Sequence, residues 1–238
     1  MSAALPLPLS IAIDGPSGSG KSSVSRAVAH RLGLAYLDTG AMYRAATWWC
    51  LREGVSLTDA DGVAALVFTM PLDMGVNPQD PTVHMDSINL AEAIRDSSIS
   101  KQVSAVATNL EVREIMKNLQ RQIMAAERTG GFSGGRGVVA EGRDITTVVA
   151  PDADVRILLT ASEEARLARR AIDVHGAASA EAVAATRDEV VRRDQDDSTV
   201  SQFLVAADGV FTIDSSDLDF EQTVAAVLQV IDHATTAN

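Results

Sequence analysis

The sequence predicts an α/β fold built on a parallel sheet, and three observations carry that prediction. A short apolar run at residues 9–13 leads directly into Asp-Gly-Pro-Ser-Gly-Ser-Gly and then into a helix-period stretch. Further apolar runs at residues 35–37, 138–140, 155–160 and 210–213 alternate with helix-period segments. Strands alternating with helices, and opening with strand, glycine turn and helix, are the pattern of parallel α/β sheets. Finally, 238 residues that are 46% hydrophobic and 22% charged suffice for one good core and are too few for two large domains.

Each element has its own signal. After the glycine turn, Val24, Val28 and Leu32 recur at spacings of four, and Gly33 is placed to end that helix. Residues 40–52 read as a helix in which Trp48 and Trp49 pack locally. Residues 58–108 differ in character: the turn signals Asn77-Pro78 and Asp80-Pro81 surround short alternating pieces such as 82–85, predicting a small mixed insert with a hairpin. Val112, Ile115, Met116, Leu119, Ile123 and Met124 then form one helical stripe. Residues 130–137 read as an exposed glycine-rich connector. Ser162, followed by Glu163 and Glu164, caps a helix whose dipole favours those acids; a charged helix spans about 180–194 and a last helix 220–231.

Composition narrows the function. The net charge of -12 repels polyanions, and the basic residues are scattered, so no nucleic-acid partner is expected. Cys50 is the single cysteine, which suits a reducing compartment. The first ten residues carry two prolines and no basic stretch, and no apolar run approaches the roughly 20 residues of a membrane span. The expectation is a cytoplasmic protein without membrane contact.

Gly15-Pro-Ser-Gly-Ser-Gly20-Lys21-Ser22 matches G-x-x-x-x-G-K-[ST]. Glycines let backbone amides converge on phosphate oxygens, and the helix N-terminus adds a favourable dipole. Pro16, Ser17, Gly18, Ser19 and Gly20 would form the cradle, with Ser23 just inside the helix. Lys21 would reach the β- and γ-phosphates, and the Ser22 hydroxyl would ligate Mg²⁺. The spacing is wrong for a dinucleotide G-x-G-x-x-G turn, and no Asn-Lys-x-Asp guanine reader is present. Three further clusters follow: 37–44 (Leu-Asp-Thr-Gly-Ala-Met-Tyr-Arg), 140–144 (Ala-Glu-Gly-Arg-Asp) and 192–198 (Arg-Arg-Asp-Gln-Asp-Asp-Ser). Arginines recurring near strand ends suggest a site for a second phosphate-bearing ligand, because the guanidinium fork suits phosphate oxygens.

These four motifs, in this order, resemble the bacterial cytidylate kinases, P-loop nucleoside monophosphate kinases, over nearly the whole chain. The resemblance implies a parallel five-stranded sheet flanked by helices, with a small insert that binds the acceptor nucleotide and a short lid. The core would comprise residues 8–58, 109–161 and 196–235, the insert about 59–108 and the lid about 162–190. It also implies transfer of the γ-phosphoryl group of ATP to CMP or dCMP with Mg²⁺, by a monomer. By the same resemblance, Lys21, Arg44, Arg143 and Asp144 would be catalytic. Ser104 and Arg113 would read the cytosine edge with Asp144. Thr39, Arg193 and Asp197 would hold the sugar, with Asp38 and Tyr43 close by. Arg44 and Arg143 would grip the acceptor phosphate, and Arg166, Arg169 and Arg170 would form the basic lid over ATP.

The chain departs from the family pattern after Asp197, where the segment 197–203 is two residues short and lacks an arginine that relatives place there as a phosphate contact. Thr146, Ala150 and Ala91 replace a glycine, a phenylalanine and a serine. The alternatives left open are a kinase for another small acceptor such as UMP or AMP, and a nucleotide-binding protein with impaired turnover. His30, His84, His175 and His233 lie outside every motif.

Overall fold

The computed structural model describes residues 8–236. The chain begins with β1 (Leu9–Asp14), α1 (Lys21–Leu32), β2 (Ala35–Asp38) and α2 (Thr39–Arg52). It continues through α3 (Ala60–Phe68), β3 (Leu72–Met74), β4 (Val83–Met85), β5 (Ile88–Asn89), a 3₁₀ turn at Ala93–Arg95, α4 (Ser97–Ala107) and α5 (Leu110–Thr129). Then come β6 (Gly137–Gly142), a π turn at Ile145–Val149, β7 (Val155–Thr160), α6 (Glu163–His175), α7 (Ala180–Ser198), β8 (Phe211–Asp214) and α8 (Phe220–Thr236).

Five strands form the parallel sheet expected, in the order β2-β6-β1-β7-β8. Alternation along the central strand sorts its side chains onto two cores. Ile11 and Ile13 pack on one face with Val24 and Val28 of α1 and Val224, Val227 and Ile231 of α8. Ala12 lies on the other face, in the core that holds Met42 of α2 and Val112 and Met116 of α5. Small residues at Ala12, Ala35 and Ala140 leave room there for these methionines.

The segment read as irregular contains more helix than the sequence suggested. α3 contributes Val63, Ala64 and Val67 to the main core, and α4 follows the small antiparallel sheet β3-β4-β5. Both helices are capped by an aspartate, Asp59 accepting from the Gly62 amide and Asp96 from the Ser98 amide. Trp48 and Trp49 stack with ring centroids 6.4 Å apart, and the Arg52 guanidinium lies over both. The glycine-rich connector is also more ordered than expected. The buried Glu127 carboxylate accepts from the amides of Phe132 (2.9 Å) and Ser133 (2.7 Å), which pins the loop to the end of α5.

The central strand is buried along its whole length and paired on both sides. Ile11→Ala, which opens a cavity at a fully buried position, is expected to cost about 2–5 kcal/mol. That should lower the thermal midpoint by on the order of 10 °C, as read by calorimetry or circular dichroism.

Candidate active site

All five core strands point the same way, and their register levels their C-terminal ends. Asp14 pairs with Gly142 across β1 and β6, and Asp38 with Glu141 across β2 and β6. β6 and β2 lie on one side of β1, and β7 and β8 on the other; the chain leaves β1 toward β2 and leaves its neighbour β7 toward β8, so the two connections diverge and open a crevice at the carboxyl ends of these strands. A cleft of about 680 Å³ lies there, bounded by the glycine loop, α2, α4, α5, the loop after β6 and helices α6 and α7.

The glycine loop forms its floor. Gly20 caps α1 in the left-handed conformation, no side chain bonds the first amides, and no acid occupies the first turn. The positive end of α1 is therefore open to an anion. Gly18, at φ 76°, has no room for a side chain: a Cβ would lie 2.4 Å from the Arg166 carbonyl oxygen. Ser17, Gly18, Gly20, Lys21, Ser22 and Ser23 line the cleft, whereas Gly15, Pro16 and Ser19 lie behind that surface. The Lys21 Nζ is 3.5 Å from the Pro16 carbonyl oxygen. Burial, and then the nearby Arg143 charge, lower the pKa of its ammonium.

One carboxylate at this floor was not singled out from the sequence. Glu141 is buried, accepts from Ser22 Oγ (2.6 Å) and lies 3.4 Å from the Tyr36 hydroxyl, which donates to the same oxygen. Burial and the adjacent Asp38 raise its pKa. The signal was available: an acid ending the apolar run 138–140 must face a cation or a hydroxyl.

The second motif builds one wall. Asp38 caps α2, accepting from the Ala41 amide at 2.7 Å, and pairs with Arg44 Nη2 at 3.3 Å. Arg44 Nε is buried without a hydrogen-bond partner. Thr39 Oγ1 donates to the Glu141 carbonyl at 2.7 Å. Tyr43 also lines the cleft, and burial pushes its hydroxyl pKa up, with Asp144 adding to the effect. Opposite, Arg113 pairs with Asp144 and also donates to the Ala107 carbonyl at 3.1 Å.

The third and fourth motifs meet at Arg143. Its Nη1 donates to the Gly15 carbonyl (2.6 Å), Nη2 to Asp194 (2.9 Å) and Nε to Asp197 (3.0 Å), and its guanidinium lies 4.4 Å from the Phe203 ring centroid. Asp194 also accepts from the Ser17 amide (3.0 Å) and from Arg166 (2.5 Å). Asp194 was read only as part of its motif, yet it joins α6, α7, the glycine loop and Arg143. Asp197 lines the cleft, with Arg193 3.8 Å away. Ser201 also lines the cleft, and Phe203 is buried beneath Arg143.

Two groups of residues lie only partly in the lining of the cleft. Ser100, Val103 and Ala107 of α4 line it, and Ser104 lies at the edge of the same helix face, one turn from Ser100. Of the three α6 arginines, Arg170 lines the cleft. Arg166 is held by Asp194 and the Ser17 carbonyl (2.9 Å), and Arg169 by Ser215 Oγ (3.0 Å) and the carbonyl oxygens of Ser215 (2.5 Å) and Leu218 (3.2 Å). Both brace the loop from behind.

Asp14 holds the Arg143 loop in place. One oxygen accepts from the Ile145 amide and the other from the Thr146 amide (2.8 Å each), and Thr146 Oγ1 adds a bond of 2.6 Å. The Thr146 hydroxyl thus adds an anchor to the two backbone amides. Burial outweighs these donors and raises the Asp14 pKa to about 6. The folded protein therefore holds this proton more tightly than the unfolded chain. Its contribution to stability is greatest at low pH and is lost as pH rises from about 4 through about 6, by on the order of 3 kcal/mol. The difference in unfolding free energy between wild type and Asp14→Asn should fall across that window, as measured by denaturant titration at a series of pH values.

Comparison with known proteins agrees with this architecture. The cytidylate kinase family pattern matches residues 11–233. A cytidylate kinase of Streptomyces avermitilis is 42% identical over 228 residues, covering 95% of this chain and 94% of that protein. Those of Nocardia farcinica (45% over 226 residues, 94% of each chain) and Cutibacterium acnes (46% over 228 residues, 94% of this chain and 96% of that one) are similarly close. A phosphate loop beneath a wall of arginines, set in a chain matched nearly end to end, places this protein in the cytidylate kinase family.

Proposed function

We propose that the cleft transfers the γ-phosphoryl group of ATP to CMP or dCMP, giving ADP and CDP or dCDP. The observation that carries this reading is the pairing of an open, uncapped α1 N-terminus with a separate arginine-bearing wall across the same cleft. One suits the donor's phosphates and the other the phosphate of an acceptor. Arg113, Asp144 and Tyr43 form the inner end, where a base would lie; Thr39 and Asp197 line the stretch between. On this reading the segment carrying β3-β4-β5 and α4 is the acceptor insert, and α6 and α7 form the lid.

The acceptor phosphate has a second pKa near 6 and is mostly dianionic at pH 7, so it is already a nucleophile. No general base is required, and among the described residues no histidine lines the cleft. The chemical problem is bringing two polyanions into line. Lys21 and the α1 amides would hold the donor phosphates, while Arg44, Arg143 and Arg193 face the acceptor side. Packing of α6 and α7 over the cleft would exclude water and so suppress hydrolysis.

Mg²⁺ fits the donor set. Among the described residues no cluster of three or more His, Cys, Asp or Glu side chains could hold a metal by itself. Ser22, with Glu141 and Asp38 nearby, offers instead the sparse oxygen set of an ion held mainly by phosphate oxygens and water. Bound there, it would neutralise charge on the β- and γ-phosphates. A cytoplasmic monomer completes the reading, and the lone, buried Cys50 thiol suits a reducing compartment.

The direct test is diphosphate formation from ATP with CMP, dCMP, UMP and AMP, beside ATP consumption without acceptor. Fast turnover with CMP and dCMP and little with the rest is expected; preference for another acceptor, or none for any, would overturn the reading. Lys21→Ala is expected to lower kcat by at least 10²–10³-fold, and a variant turning over normally would contradict the scheme.

A further inference from the structure

The turn that follows Asp144 is gripped from outside the cleft. Arg121 of α5 is exposed and does not line the cleft. Its Nη2 donates to the Val148 carbonyl (2.7 Å) and its Nε to the Val149 carbonyl (2.8 Å). These carbonyls end the π turn, where a helical segment cannot serve its own acceptors. The amides of the same two peptide groups point the opposite way, as planar trans peptides require. The Val149 amide donates to the Asp144 carbonyl (3.1 Å) and the Ala150 amide to the Ile145 carbonyl (2.8 Å).

The next two peptides repeat the pattern. The Ile145 and Thr146 amides donate to the two carboxylate oxygens of Asp14, at 2.8 Å each. Two parallel chains of three hydrogen bonds therefore join a guanidinium to a carboxylate. One runs through peptides 148–149 and 144–145, the other through 149–150 and 145–146. Every donor faces the same direction, so the peptide dipoles lie head to tail between a cation and an anion. Hydrogen bonds arranged in this way polarise and strengthen one another. Asp14 is buried at the end of β1, so the chains cross the turn from the sheet to α5. Asp144 is part of the crossing. Its carbonyl is a link in one chain, and its carboxylate pairs with Arg113, about two turns earlier on α5.

We propose that Arg121 and Asp14 act as one clamp, and that both are positioning residues that set Asp144 and Arg113 before the acceptor's base enters. This rests on the acceptor reading above. Neither Arg121 nor Asp14 lines the cleft, so the clamp works through the peptide chains.

The test is a double-mutant cycle of Arg121→Gln, Asp14→Asn and the pair, with Arg121→Lys beside it. KM for CMP, KM for ATP and the melting temperature would be measured for each, with amide hydrogen exchange at residues 148–150 in the protein without nucleotide. Arg128→Gln is the control, because that arginine also projects from α5 but donates to Ser10 Oγ (3.1 Å), near the start of β1. Arg121→Gln should raise KM for CMP by roughly three- to thirtyfold and change that for ATP less than about twofold. Arg121→Lys should recover part of the loss. Exchange at 148–150 should quicken about tenfold or more in Arg121→Gln. In the double variant, KM for CMP should match that of the worse single variant, and Arg128→Gln should leave both KM values unchanged. Should Asp14→Asn fail to fold, the KM split and the exchange rates of Arg121→Gln decide alone. Effects that multiply in the double variant, unchanged exchange, or equal changes in both KM values would overturn the proposal. A wild-type protein that phosphorylates no CMP would remove the acceptor reading, while the exchange rates would still show whether the clamp holds the turn.

Discussion

Arg143 donates to Gly15, Asp194 and Asp197, and the geometry of the whole cleft depends on that knot. The three acceptors belong to the glycine loop and to α7, so one side chain ties the end of β6 to both. Asp194 extends the connection to Arg166 on α6 and to the Ser17 amide. Removing charges like these from water is costly, and such pairs seldom add net stability. What the network provides is position: it fixes the loop, the lid helices and the arginine wall relative to one another before any ligand enters.

The same network sets the electrostatics. Lys21, Arg44, Arg143, Arg170 and Arg193 converge on one cleft in a protein whose net charge is -12. Asp194 and Asp197 neutralise Arg143 and Arg166, and Asp38 partly neutralises Arg44. Donors left over, at Arg193 Nε, Arg44 Nε and the first turn of α1, define where negative charge is wanted. The acidic surface elsewhere disfavours polyanions, while this recess admits compact, multiply charged phosphates.

Beneath the site, sheet register does the placing. Asp14, Asp38, Glu141 and Gly142 end level because β2, β6 and β1 pair in parallel. Asp14 then holds residues 145–146 from below, Glu141 receives the Ser22 hydroxyl and Asp38 caps α2. Each of the three acids has a distinct task although all lie on one edge of the sheet.

Much of this was legible in the residues. Short apolar runs located every strand of the main sheet, and apolar periodicity, a cap with first-turn acids and charge marked the helices α1, α2, α5, α6, α7 and α8, because burial and helix ends leave their mark on composition. The phosphate loop was legible because only glycines and a lysine at that spacing meet its backbone and charge demands. α3 and α4 were obscured by the proline-marked turns between them, and the order of the glycine-rich loop depended on Glu127, whose partners are backbone amides without sequence identity. Ser104 was named by resemblance alone, inside a segment whose helix the sequence did not reveal, and which residues of α4 line the cleft depends on how that helix packs against its neighbours. The sequence by itself determined the chemistry available: an anion cradle, a lysine and a set of arginines and aspartates in order. Only the tertiary structure decided which arginine is held by carboxylates and which is left with a free donor, because that depends on contacts between residues more than fifty positions apart.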